Sequence, residues 1–272
     1  MKISVLMGTR LRPVGLIAVI QALSSLSSKN HEISYIVRYD NDDWEAPSAI
    51  AMLDREGHSI IRAIAPRPMT IGHMYNQGLE FAPEFDALCI MSDDVFPCSP
   101  NWDEGVRIMI QDRGFLAFAW NDHGYPGIVT HPVMSKAWLD AAGKVMPDWF
   151  PFWFSDTWMS QVYEMATGEP MTIATDMVLA STPGKTNNMR EFQFWLDFWL
   201  LTRKVRVSEA EVIRQKLGLP EVNAAPILEK FERFDKLWNV DAIVSAHGDD
   251  SPPGERYFAA KARAEGWISA NA

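Results

Sequence analysis

Two short apolar runs end in clustered carboxylates. Ile33–Tyr39, rich in β-branched residues, runs into Asp40-Asn41-Asp42-Asp43, and Ala87–Met91 runs into Ser92-Asp93-Asp94. Gathered carboxylates repel, so a site that collects them needs a cation, hydrogen-bond donors or solvent to offset the repulsion. Hard oxygen ligands suit Mg²⁺ or Mn²⁺, and such an ion also holds the diphosphate of a nucleotide. A plainer use stays open, since Asp at a strand end can also cap the helix that follows. A third carboxylate, Asp156, lies within Trp153-Phe154-Ser155-Asp156-Thr157-Trp158. Apolar rings desolvate a carboxylate and raise its basicity, which suits a general base; the alternative is a helix N-cap beside core aromatics. His123 and His131 read as surface or hydrogen-bonded histidines rather than ligands.

These residues need elements to hold them. Apolar runs at Ile3–Met7, Ile33–Tyr39, Ser59–Ala65, Ala87–Met91 and Phe115–Trp120 alternate with helical spacing at Val14–Leu26, Glu45–Glu56, Ile71–Phe81 and Asn101–Gln111. Alternation of this kind predicts an α/β fold with a mostly parallel sheet flanked by helices. Ligands of open α/β sheets bind outside the carboxyl ends of the strands, which is where both acidic clusters fall. Ile128–Met134 reads as a strand leading into a short helix to Ala142. From Arg190 helices dominate, at Glu191–Lys204, Ser208–Leu217, Ala224–Trp238 and Glu255–Glu265, giving a body over 1–185 and a helical C-terminal extension over 186–272. Ser208 with Glu211 reads as a capping box.

Composition narrows the function classes. The 272 residues carry 25 Lys and Arg against 35 Asp and Glu, a formal charge of −10, which disfavours nucleic acid as a principal partner. No 18-residue uncharged apolar run predicts a transmembrane segment. Two cysteines exclude a disulfide framework, and Cys89, inside an apolar run, reads as a buried free thiol of a reducing compartment. With an apolar strand starting at Ile3, the expectation is a soluble, cytoplasmic protein without a signal peptide. The helix over 191–204 is apolar nearly all round, with Phe192, Trp195, Leu196, Trp199 and Leu200 on one face and Phe194, Phe198 and Leu201 on another. That predicts burial within the chain or between subunits of a homo-oligomer.

Order and spacing together carry a resemblance. Ile3-Ser4-Val5-Leu6-Met7-Gly8-Thr9-Arg10-Leu11-Arg12-Pro13 resembles the first strand and loop of family 2 glycosyltransferases of GT-A fold. Asp40-Asn41-Asp42-Asp43 is similar to their acidic second-strand end, Asn76-Gln77-Gly78 to their Asn-x-Gly helix, and Ser92-Asp93-Asp94 to their metal-binding Asp-x-Asp segment. Ser155-Asp156-Thr157 resembles the later acidic motif that supplies the base of inverting members. The resemblance covers about residues 1–165. It implies a nucleotide-sugar donor held near Thr9, Arg10, Asp40 and Asp42, a Mn²⁺ or Mg²⁺ ion at Asp93 and Asp94, and Asp156 as the base acting on a saccharide or other hydroxyl acceptor.

This sequence departs from that pattern at two places. Ser92 stands where the first Asp of Asp-x-Asp would be, and no His occurs between His131 and His247, where many metal-using relatives place a ligand. Both departures keep open a non-catalytic nucleotide-sugar-binding module of the same fold. Gly8-Thr9-Arg10-Leu11-Arg12-Pro13 also resembles the Gly-Thr-Arg-Leu-x-Pro core of sugar nucleotidyltransferases. Yet Val5-Leu6-Met7 replaces the upstream glycines of that signature, and no Lys occurs between Lys2 and Lys29.

Overall fold

The computed structural model describes residues 1–150, 154–181, 195, 198–199 and 202–232. They divide into two compact units, Met1–Asp148 with Met171–Gly184, and Trp149–Pro170 with the chain from Lys185 onward.

The first unit is one eight-stranded sheet with helices. In chain order its elements are β1 (Lys2–Thr9), α1 (Pro13–Leu26), β2 (Glu32–Asp40), α2 (Ala46–Arg55), β3 (Ile60–Ala65), α3 (Ile71–Leu79), β4 (Ala87–Ser92), β5 (Val95–Pro97), α4 (Trp102–Arg107), β6 (Ala117–Asp122), β7 (Pro132–Ser135), α5 (Lys136–Ala142) and β8 (Thr172–Ser181). The strands lie in the order β3-β2-β1-β4-β7-β6-β8-β5. The β3-β2-β1-β4 half is parallel throughout, and β6 pairs in parallel with β8. Strand β7 runs antiparallel to β4 and β6, and β5 antiparallel to β8. The fold is the expected α/β sheet, with a parallel majority and an antiparallel insertion on one side.

Local sequence explains the boundaries. Pro13 opens α1, where its missing N–H costs nothing and its fixed φ already suits a helix. Thr70 caps α3, its hydroxyl accepting from the His73 N–H at 3.1 Å, and Ser135 caps α5 through the Trp138 N–H at 3.2 Å. Ile3, Val5 and Met7 of β1 meet Leu16, Val19, Ile20 and Leu23 of α1 in one buried core. Burial of each such side chain contributes roughly 1.5–3 kcal/mol. The expected helix over Asn101–Gln111 is instead α4 followed by a π-helical turn, Ile108–Asp112. Strands β5 and β8 carry too little alternation to stand out in the sequence.

In the second unit are α6 (Ser155–Thr167), α7 (Arg203–Leu217) and α8 (Ala225–Glu232). Helix α7 starts five residues before Ser208, so Ser208 and Glu211 are interior residues and not a capping box. The buried Arg206 guanidinium lies 4.3 Å from the Trp199 ring centroid and 5.0 Å from that of Trp158. Cation–π contacts of this kind contribute about 0.5–2 kcal/mol. Of the apolar helix expected over 191–204, Trp195, Phe198 and Trp199 are described, and each is buried. All of its other apolar residues, the end of the 224–238 helix and all of the 255–265 helix lie outside the described residues. Among the described residues, no helix is long and apolar enough to cross a membrane.

Candidate functional site

The carboxyl ends of β1, β2 and β4 bring six of the expected residues to one edge. Thr9 ends β1, and its buried hydroxyl donates to Asp93 Oδ2 at 2.7 Å. Arg10 follows, reaching Asp40 Oδ2 at 2.5 Å and gripping Asp42 with two bonds of 2.7 and 3.1 Å. Asp42 itself is mostly exposed, and the Arg10 hydrogen bonds hold its carboxyl below the usual range.

Asp40 is buried between two arginines. Its second oxygen accepts from Arg38 Nη1 at 2.8 Å, and Arg38 is itself fully buried on β2. Arg38 also donates to the Gln77 side-chain oxygen, at 2.7 and 3.0 Å, and to the Pro66 carbonyl at 2.7 Å. The Asn76-Gln77-Gly78 segment therefore has a structural explanation. Asn76 ties α3 to the Val145 N–H and the Met146 carbonyl, Gln77 anchors Arg38, and a Cβ on Gly78 would sit 2.5 Å from Leu6 Cδ1. Asp43, in the same acidic run, is spent on the backbone. It accepts from the N–H groups of Leu11, Glu45 and Ala46 at 2.8, 3.0 and 3.1 Å, fixing the loop after β1 and the start of α2.

At the β4 end a single cation, Arg12, bridges both carboxylates. Arg12 Nη1 lies 3.2 Å from Asp93 Oδ1 and 2.9 Å from Asp94 Oδ2. Burial pushes the Asp93 carboxyl up, while the Thr9 hydroxyl and Arg12 oppose that rise. Asp94 is about half exposed, and Ser92 Oγ donates to its other oxygen at 2.8 Å. The serine at the departing position thus orients the acid that remains. A cavity of about 610 Å³ opens beside Arg12, Asp93 and Asp94, with Leu11, Val14 and Phe96 on its apolar side.

Asp122 and His131 extend this edge. Asp122, at the end of β6, is buried and accepts from Ser181 Oγ at 2.6 Å, the Gly124 N–H at 2.9 Å and Thr130 Oγ1 at 3.1 Å. Burial alone would push its carboxyl up, but His131, Ser181 and the Gly124 N–H together hold it well below the usual range. His131 places Nδ1 3.5 Å from Asp122 and Nε2 3.5 Å from Ser92 Oγ, so it is the hydrogen-bonded histidine expected. The signal for Asp122 was a polar Asn-Asp pair ending an apolar strand, the same pattern that marked the other two clusters.

A Cβ on Gly8 would lie 2.2–2.3 Å from the flexible end of the Met74 side chain, so α3 packs closely against the end of β1 there. Asp156 belongs to the second unit. It occupies the first turn of α6, two residues after the N-cap Phe154, so it is not itself the N-cap. Its Oδ1 accepts from the Thr157 N–H at 2.7 Å. Trp153, part of its expected aromatic setting, lies outside the described residues.

No family model and no curated protein sequence matches this chain. Solved structures do. Mannosyltransferase PcManGT from Pyrobaculum calidifontis, in complex with GDP-Man and Mn²⁺, is similar over 98% of this chain and 81% of its own, at 14% identity and a TM-score of 0.58. S. aureus TarS 1-349 in complex with UDP is similar over 94% and 77%, at 11% identity and a TM-score of 0.63. Glucosyl-3-phosphoglycerate synthase from Mycobacterium tuberculosis, in complex with Mn²⁺, UDP and phosphoglyceric acid, is similar over 81% and 80%, at 12% identity and a TM-score of 0.51. The chain has the fold of GT-A glycosyltransferases.

Proposed function

We propose that this protein is an inverting glycosyltransferase that moves a sugar from a nucleotide-diphosphate donor to an acceptor hydroxyl. The observation that carries this reading is the edge of Thr9, Arg10, Arg12, Asp40, Asp42, Asp93 and Asp94, in a fold shared with structures that hold GDP-Man or UDP. In this reading Asp42 and Arg10 face the donor nucleotide, Asp40 sets the position of Arg10, and Arg12 adjoins the donor phosphates.

A divalent ion fits these residues in one specific way. Among the described residues no group of three His, Cys, Asp or Glu forms a ready cation cage. Mg²⁺-type ions, however, are commonly held by one or two carboxylates with the substrate phosphates supplying further oxygens. The half-exposed Asp94, with Asp93 beside it, would hold such an ion as it arrives with the diphosphate, and Arg12 must then release both carboxylates. The ion, Mn²⁺ or Mg²⁺, would neutralise charge gathering on the leaving diphosphate.

The acceptor hydroxyl is a poor nucleophile at neutral pH, so a carboxylate must take its proton as it attacks the anomeric carbon. We assign that role to Asp156. Attack opposite the departing diphosphate inverts the configuration. A thermal-shift screen of UDP-, GDP- and TDP-sugars, with and without Mn²⁺, tests the donor class, because a bound ligand stabilises by mass action. Slow donor hydrolysis by a stabilised protein separates an enzyme from a binding module. Asp156→Asn should keep donor affinity within about threefold, under 1 kcal/mol, and reduce sugar transfer by at least roughly 100-fold. Transfer at the parent's rate would remove Asp156 as the base, and loss of donor affinity would move it to the donor site.

A further inference from the structure

Strand β7 carries a histidine to the carboxyl end of β4. It begins at Pro132, directly after His131, and runs antiparallel to β4, so its first residues adjoin the strand end that holds Ser92, Asp93 and Asp94. The His131 carbonyl accepts from the Trp120 N–H of β6 at 3.2 Å, which fixes the backbone beneath the ring.

The two ring nitrogens keep different company. Nδ1 lies 2.9 Å from Thr130 Oγ1 and 3.5 Å from Asp122 Oδ2. Thr130 gives its one hydroxyl hydrogen to Asp122 Oδ2 at 3.1 Å. Both neighbours of Nδ1 therefore present acceptors to it, and Nδ1 carries a hydrogen whether the ring is neutral or charged. Nε2 faces Ser92 Oγ at 3.5 Å, while Ser92 spends its hydrogen on Asp94 Oδ1 at 2.8 Å, much the shorter contact. The neutral ring thus turns a lone pair toward the residues beside Asp94, and a charged ring would do so on losing its Nε2 proton.

A metal-binding histidine almost always donates its other ring N–H to a carboxylate, a carbonyl or water, which sets the tautomer and makes the ligating nitrogen more basic. Thr130 and the buried Asp122 are such partners. We propose that His131 Nε2 joins Asp94 as a ligand of the divalent ion that arrives with the donor diphosphate, in place of the carboxylate that Ser92 lacks. Diphosphate oxygens and water complete the shell of such an ion, so the pair needs no third side chain. The sequence expectation of a histidine that is hydrogen-bonded rather than a ligand then holds for Nδ1 alone. An imidazole ligand also ranks ions, favouring Mn²⁺ over Mg²⁺, which prefers oxygen. This inference rests on the reading that Asp94 holds a divalent ion.

The test is EPR of the full chain with Mn²⁺ and UDP, and separately with Mn²⁺ and GDP. Titration gives the Mn²⁺ affinity, and spin-echo modulation reports a nitrogen bonded directly to the ion. Nitrogen modulation is expected in the parent and should vanish in His131→Gln. Thr130→Val keeps the ring but removes its partner, and should weaken Mn²⁺ binding by about tenfold or more, as loss of an outer partner of a metal ligand does. His131→Gln should weaken it further, and should weaken Mg²⁺, read by competition for bound Mn²⁺, by less. Mn²⁺ bound without nitrogen modulation in the parent, or at parent affinity in His131→Gln, would overturn the inference and leave the ion at Asp94 standing. Failure of Mn²⁺ to bind with either nucleotide would instead remove the ion itself, and the histidine's role with it.

Discussion

The acidic ends of β2 and β4 look alike in sequence and differ in how the protein neutralises them. At β2, Asp40 is buried, with one oxygen on Arg38 and the other on Arg10, while Asp43 is saturated by three backbone N–H groups. At β4, a single arginine that is itself more than half exposed serves both Asp93 and Asp94. The first arrangement fixes geometry. The second leaves a carboxylate whose partner can be exchanged, which is what a site needs if a ligand is to bring its own cation.

Breaking the fixed end should have the largest effect. Arg38→Met leaves a buried Asp40 with Arg10 alone and strands the Gln77 oxygen and the Pro66 carbonyl. Removal of one partner from a buried pair costs about 3–5 kcal/mol, readable as a fall in the urea midpoint at unchanged m-value. The double variant Arg38→Met with Asp40→Leu should recover much of that loss, since apolar replacement of a whole buried pair is often close to neutral. A single variant as stable as the parent would show that β2's end is no more fixed than β4's.

At the exchangeable end, Asp94→Asn should leave the unliganded protein's stability within about 0.5 kcal/mol, as surface substitutions usually do. Mn²⁺ should add to the parent's stability in the presence of UDP or GDP, by about 2.7 kcal/mol at a hundredfold excess over Kd, and Asp94→Asn should abolish that increment. Arg12→Ala should act oppositely, tightening Mn²⁺ binding measured by EPR without nucleotide. Mn²⁺ affinity unchanged in Arg12→Ala would mean that the arginine does not compete for these carboxylates.

Asp122 offers a test by pH. Its folded carboxyl is held below the unfolded value of about 3.9. The stability it contributes is therefore complete above the unfolded pKa and is lost as pH falls through the depressed folded value. His131, Ser181, Thr130 and the Gly124 N–H are the groups facing it. Between pH 5 and pH 2, ranges set by that reference value, the parent should lose about 2 kcal/mol more stability than Asp122→Asn, the scale of hydrogen bonds to a charged group. Parallel stability curves would show that Asp122 titrates normally.

The legible part of the molecule was the half where sequence and space run together. Strands β1 to β4 are apolar runs punctuated by helices, so the edge carrying Asp40, Asp42, Asp93 and Asp94 followed from period and order, whereas Thr9 and Arg10 were pointed to only by the family resemblance. The antiparallel insertion was harder to read. β5 is three residues long and β8 contains Thr175 and Asp176 mid-strand, so neither shows a clean period. Partners were less legible than positions. Nothing local says that Arg38 lies beneath Asp40, that Asp43 holds the loop after β1, or that Arg12 bridges two acids 81 and 82 residues away.

Asp42 gives the smallest expected effect and tests the contrast within β2's end itself. Asp40 and Asp43 hold the edge together, whereas Asp42 is exposed and is hydrogen-bonded to it through Arg10. Asp42→Ala should therefore leave the urea midpoint unchanged, because Arg10 stays anchored on Asp40. The same substitution at Asp43 should cost roughly 1 kcal/mol, as loss of a side chain that caps backbone N–H groups typically does. Calorimetry should read the opposite order for ligand: nucleotide affinity about tenfold weaker in Asp42→Ala, near 1.4 kcal/mol. If Asp42→Ala binds every nucleotide as the parent does, the exposed carboxylate serves only to orient Arg10, and recognition at this strand end must be carried by Arg10 and its neighbours. If Asp42→Ala instead unfolds more readily than Asp43→Ala, the division between a fixed scaffold and an exposed binding residue fails at the position where it was drawn most finely.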